Sequence, residues 1–148
     1  METKKTYKSF RYQTGVVWKE RRKGTVSLPG KPELEISSPP EFKGDAGIWT
    51  PEDLFVSSLN TCIMETYLAF AERQGLGLVA YECAAEGLLS FVEGKYRFTE
   101  ITLQPQVTVK SQDEIEKARE LVETAHANCF ISNSITAAVK ITPQIRAA

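Results

Sequence analysis

The chain of 148 residues predicts one domain, residues 1–148, long enough to bury roughly 68–70 % of its unfolded surface without a disulfide or metal staple. Lys plus Arg number 18 and Asp plus Glu 19, and a net charge of −1 argues against a nucleic-acid binder with a dense cationic face. One histidine (His126) excludes a His-rich metal site, and three cysteines without CxxC spacing fit neither a secreted disulfide framework nor a zinc ribbon, so neither a metal nor a cofactor is expected.

Residues 1–8 are polar and lack the apolar core of a signal peptide. Residues 7–19 carry the β-branched and aromatic content of a strand, and 24–28 and 34–36 are short extended runs between Gly and Pro breaks. Between them lies the basic run Lys19-Glu20-Arg21-Arg22-Lys23, most simply a solvated turn. It makes residues 1–50 basic, with ten Lys/Arg against six Asp/Glu, whereas 51–148 hold eight against thirteen. Two prolines and two glycines mark 38–47 as a loop.

Thr50-Pro51-Glu52-Asp53 starts a helix: Thr50 suits the cap, Pro51 the first helical position, and the two acids favour the positive dipole end. The helix is expected to reach Gln74 and stop at Gly75. Phe55, Val56, Leu59, Cys62, Ile63, Tyr67 and Phe70 share one broad face, with Leu54, Met64 and Leu68 behind it, so a helix buried nearly all round is expected. Asn60, Thr61, Glu65 and Thr66 interrupt the run and argue against a membrane span. A cytoplasmic protein without membrane partners follows.

Residues 78–90 read as a strand with Tyr81, Cys83 and Ala85 on one face and Glu82 and Glu86 on the other. Val92-Glu93-Gly94-Lys95 is a hairpin turn into a second long strand, 96–110. Ser111 and Glu114 form a capping box for a helix ending near Asn128, with Ile115, Ala118, Leu121, Val122 and Ala125 as its apolar face. Residues 136–145 make a final strand. The fold class is α+β, with antiparallel sheets around a long buried helix and a second amphipathic helix. One small sheet cannot cover so apolar a helix, so a symmetric dimer is expected.

Cys62 lies mid-helix, beyond the reach of the helix dipole, and becomes a thiolate only with an external cation; alone, it is more often a buried core thiol. Cys129, at a helix C-terminus, is a poor attacking nucleophile but suits resolution of an oxidised partner. Cys83, on a strand, reads as packing. His126 shares a helical face with Cys129, as a Cys–His pair, as two metal ligands, or as an ordinary cap-region histidine.

Pro51-Glu52-Asp53-Leu54-Phe55, Cys62 seven residues on, and then Ala125 to Cys129 with Ser132-Asn133 resemble the OsmC/Ohr family (osmotically inducible protein C and organic hydroperoxide resistance protein). The likeness runs from about Tyr7 to Ile145. Gly47-Ile48-Trp49-Thr50, Ile63 and Phe130 depart from its common pattern and mark a divergent branch. The resemblance implies an intertwined homodimer in which Cys62 is the peroxidatic cysteine, Cys129 the resolving one, Glu52 the glutamate after proline, and Arg22, with Arg21 as the alternative, the arginine. Glu52 would orient that arginine as a bidentate pair. Glu52 and Cys62 stand ~15 Å apart along one helix, so either Glu52 bends off the helix end or it approaches Cys62 of a second subunit.

The implied reaction reduces an organic hydroperoxide through a Cys62 sulfenic acid and a Cys62–Cys129 disulfide, which a dithiol such as a lipoylated protein reopens. Phe55, Leu59, Ile63 and Phe130 would line an apolar substrate pocket. Two other readings stand beside it: a non-catalytic dimeric small-ligand-binding protein of the same fold, and a thioesterase-like enzyme, disfavoured for want of an Asp or Glu base inside the helix.

Overall fold

The computed structural model describes residues 4–148, packed as two compact units, one ending at Glu52 and the other running from Asp53 to Ala148. The first unit holds an antiparallel sheet of β1 (Gly15–Glu20), β2 (Lys23–Ser27) and β3 (Leu34–Ser37) in that order. β1 begins eight residues later than the expected strand: 7–14 hold no regular structure and are exposed, since their aromatic residues find no neighbouring strand. All of β1 is exposed as well, Trp18 at 74 %. The expected loop carries one 3-10 turn, Pro40–Phe42.

The second unit is built on α1 (Pro51–Arg73), which begins at the end of the first, and on a mixed sheet. α1 ends as expected, in a Schellman arrangement: Gly75 takes φ 67, its N–H donates to Glu72 O (3.1 Å), and Leu76 N–H donates to Ala71 O (2.9 Å). β4 (Leu78–Val92) and β5 (Lys95–Val109) pair antiparallel through a two-residue turn, with Glu93 and Gly94 both at positive φ.

α2 (Ile115–Asn128) follows a 3-10 turn at Gln112–Glu114. Ser111 makes no backbone cap. Its hydroxyl donates to Glu114 Oε1 (3.0 Å), and Glu114 Oε2 accepts from Gly77 N–H (2.6 Å), tying the helix start to the entry of β4. α2 carries the chain across the sheet, so the strands after it run parallel to β5, correcting the expectation of purely antiparallel sheets. The expected final strand is two, β6 (Ala138–Ile141) and β7 (Gln144–Ala147), interrupted at Thr142-Pro143. Pro105 of β5 falls in the same interruption, between Leu103, which pairs with Ile141, and Gln106, which pairs with Gln144. A residue without an N–H is tolerated where that ladder is open.

α1 is not buried all round, as its composition suggested. A stripe of Leu59, Ile63, Tyr67 and Ala71, one residue per turn, is buried, and the flanking residues are half-exposed. The helix is long and apolar enough to cross a membrane by length and composition, yet its buried stripe packs as that of a core helix does. Its C-terminal half meets Val107 and Val109 of β5 and Ala118, Leu121, Val122 and Ala125 of α2. Tyr67 Oη donates to Ala118 O (2.9 Å), locking the helices together. Its N-terminal half meets Ile101, Leu103, Ala137 and Cys129.

Candidate active site

The N-terminal cluster of the second unit gathers all three cysteines. Cys129 is fully buried among Leu59, Ile63, Ile101 and Leu103, and Cys62 and Cys83 pack half-buried against the same group. α1 carries Cys62 here because it lies one residue before Ile63 of the buried stripe. Cys129 arrives as the residue that closes α2, with extended backbone and its N–H donating to His126 O (3.4 Å).

The turn after Cys129 is held by side chains of the Ser132-Asn133 motif and its neighbours. Asn133 N–H donates to Cys129 O (3.0 Å) and its side-chain amide to Ala127 O (3.2 Å), satisfying two carbonyls at the helix end. Ser134 Oγ donates to Phe130 O (2.6 Å), and Ser132 N–H points at Cys129 Sγ (3.4 Å). The backbone amides of Phe130 and Ile131 in this turn favour the ionised form of Cys62.

The two thiols differ sharply in acidity. Burial pushes the Cys62 thiol up, but hydrogen bonds from the Cys129 thiol, the Ile131 N–H, the Thr66 hydroxyl and the Phe130 N–H together outweigh it, and the net shift is downward. Cys129 is pushed up to about 11, first by burial and then by its position beside Cys62, against smaller help from the N–H groups of Ser132 and Ile131. Cys83 is raised by burial. Thus one thiol is disposed to ionise and its neighbour to keep its proton and donate it.

This arrangement supplies Cys62 with local donors that the sequence did not reveal. Thr66 and the amides of Phe130 and Ile131 act where only an external cation was expected. Backbone amides carry no residue signature, although a Ser-Asn pair after a helix-ending cysteine is a hint of a structured turn.

Among the expected pocket residues, Leu59 and Ile63 are core side chains, 0 % and 1 % exposed. Phe55 is half-buried beside them and stacks on Phe98 at 4.8 Å between centroids. Phe130 stands outside the cluster, 81 % exposed. His126 is half-buried in the last turn of α2. No group of three His, Cys, Asp or Glu that could hold a metal ion occurs among the described residues.

In the first unit, the basic run is sorted by Asp45. Arg21, at φ 46, pairs with Asp45 at 3.0 Å, and Lys23 pairs with Asp45 (3.3 Å) and Glu20 (3.5 Å). Arg22 is exposed and makes no ion pair among the described residues. Arg21, Arg22, Ser37, Lys43 and Asp45 border a cavity of about 90 Å³. Glu52 is helical, the second residue of α1, and its Oε2 is buried without a hydrogen-bond partner.

Residues 44–144 match the family model described as OsmC-like protein. The chain belongs to the OsmC-like family. The uncharacterized protein YmaD of Bacillus subtilis is 29 % identical over 121 residues, 80 % of each chain. An OsmC-like protein of Vibrio cholerae superposes with a TM-score of 0.84 at 25 % identity, covering 91 % of this chain and 99 % of the other. The organic hydroperoxide resistance protein OsmC of Legionella pneumophila, described as a predicted redox protein, superposes at 0.70 with 26 % identity, covering 91 % and 97 %. These OsmC-like neighbours share the α+β architecture described above.

Proposed function

We propose that the protein is a thiol-dependent peroxidase that reduces organic hydroperoxides to alcohols. The observation that carries the reading is the meeting of two free thiols, Cys62 and Cys129, in one apolar cluster, with Cys62 the more acidic of the two. The Cys62 thiolate attacks the distal peroxide oxygen, breaking the O–O bond. The sulfur becomes a sulfenic acid, and the departing alkoxide takes a proton and leaves as alcohol. The Cys129 thiol then condenses with the sulfenic acid, forming the disulfide and releasing water. An external dithiol, such as a protein-bound lipoamide, exchanges with the disulfide, restores both thiols and leaves oxidised itself.

The assembly proposed is a cytoplasmic homodimer. The wholly exposed β1 and half-exposed α1 present apolar surface that a second copy would cover. Arg22 and Glu52 are proposed to form an ion pair that serves Cys62 of a second subunit. The free guanidinium of Arg22 favours it over Arg21, which Asp45 already holds, and Glu52 Oε2, buried without a partner, is the acceptor it would satisfy. Of the four apolar residues assigned to the substrate path, Phe55 and Phe130 have the surface to meet substrate, and Leu59 and Ile63 back them from the core.

The test is dithiol-dependent consumption of cumene hydroperoxide. Wild type is expected to turn over, and Cys62→Ser and Cys129→Ser each to lose at least about 100-fold. A wild type without turnover, or a Cys62→Ser protein that keeps it, overturns the proposal.

A further inference from the structure

Thr66 lies one helical turn beyond Cys62, and its hydroxyl bonds the cysteine carbonyl with the sulfur just within reach. Thr66 Oγ1 is 2.8 Å from the Cys62 carbonyl oxygen, to which it donates, and 4.0 Å from Cys62 Sγ. Back-bonding to the carbonyl four residues earlier is common for threonine in helices. Thr61 and Thr124 do the same here, with Ser57 O at 2.8 Å and Glu120 O at 3.3 Å. Thr66 alone of these three has a sulfur in reach, which a structural back-bond does not require.

A hydroxyl has one proton and two lone pairs, and its proton rotates to suit its partners. While Cys62 is a thiol, Thr66 gives its proton to the carbonyl and receives the S–H. Once Cys62 ionises there is no S–H to receive, and the charged sulfur becomes the stronger acceptor.

We propose that Thr66 is a positioning residue for Cys62, its hydroxyl proton turning from the Cys62 carbonyl to the sulfur as the thiolate forms, so that the sulfur is held in one orientation against α1. The inference rests on the peroxidase reading only in taking Cys62 as the reacting thiol. The other titratable side chains in this cluster are the thiols of Cys129, from the end of α2, and Cys83, from β4, and the test leaves both in place.

The experiment follows the pH dependence of iodoacetamide alkylation at Cys62 in the reduced full chain, read by mass spectrometry of the Cys62 peptide. Thr66→Val and Thr66→Ala should each raise the midpoint by ~0.5–1 pH unit. Alanine is included because it is the best helix former, so the hydroxyl is removed in a variant that keeps the helix. Thr66→Ser should restore the wild-type midpoint. Thr61→Val, which loses a back-bond away from the sulfur, should leave it unchanged. Midpoints unmoved in both hydroxyl-free variants, a serine variant shifted as far as they are, or an equal shift in Thr61→Val would each overturn the proposal. No peroxide is present, so absence of peroxidase turnover would not move this readout.

Discussion

Cys62 and Cys129 are the same chemical group in one apolar cluster, yet their environments push them apart because donors are unequally shared. Once ionised, Cys62 is favoured by two backbone N–H groups, a threonine hydroxyl and a thiol, whereas Cys129 is wholly buried and spends its proton on its neighbour. Cys62 titrates below the ordinary thiol value, so it gains reactivity at a lower pH than free cysteine, and Cys129 is half-ionised only at about pH 11. Each unit of separation is tenfold in thiolate population, partly offset by the lower nucleophilicity of the more acidic thiol. At pH 8 alkylation of the reduced protein should therefore favour Cys62 over Cys129 by at least ~10-fold in rate. Peptide mapping over time checks this, and labelling of Cys129 first would refute it. Cys62 and Cys129 both lie in one apolar cluster, and that they would come together was legible from their spacing and the Ser-Asn that follows. The source of Cys62 activation was not, because amides at Phe130 and Ile131 look like any others in a sequence.

At the scale of elements, the N-terminal half of α1 must sit close to the hairpin to bring Cys62 into the cluster. Gly87 of β4 permits a close approach: a Cβ there would stand 2.6 Å from Val56 Cγ2 and 2.9 Å from Phe98 Cε1. The Phe98 ring is stacked on Phe55 and has little freedom to retreat. Gly87→Ala should therefore destabilise the protein by about 1–3 kcal/mol, the usual cost of overpacking. Urea unfolding checks this, and an unchanged midpoint would contradict the packing described. The ends of α1 were legible because Thr50-Pro51 and Gly75 have strong local preferences. The break between β6 and β7 turns on a tertiary fact, the open ladder opposite Pro105, which no window of sequence around Pro143 contains. The parallel course of these strands follows from a helix crossing the sheet between them, a relation of elements rather than of residues.

For the molecule as a whole, the sequence carried the α+β class and the OsmC-like family, while burial did not follow composition. A helix apolar on most sides buries only the stripe at Leu59, Ile63, Tyr67 and Ala71, and every residue of β1 is exposed. Hydrophobicity reports what a surface prefers but not which chain supplies the cover, so the apolar excess points to the proposed homodimer. The central claim is that Cys62 and Cys129 act as one redox pair. One equivalent of cumene hydroperoxide added to the reduced protein, followed by nonreducing digestion and mass spectrometry, tests it most directly. The account predicts a Cys62–Cys129 disulfide as the main product, with Cys83 still reduced. A Cys62 that stays reduced, or one that accumulates as sulfinic acid with Cys129 still free, would contradict it.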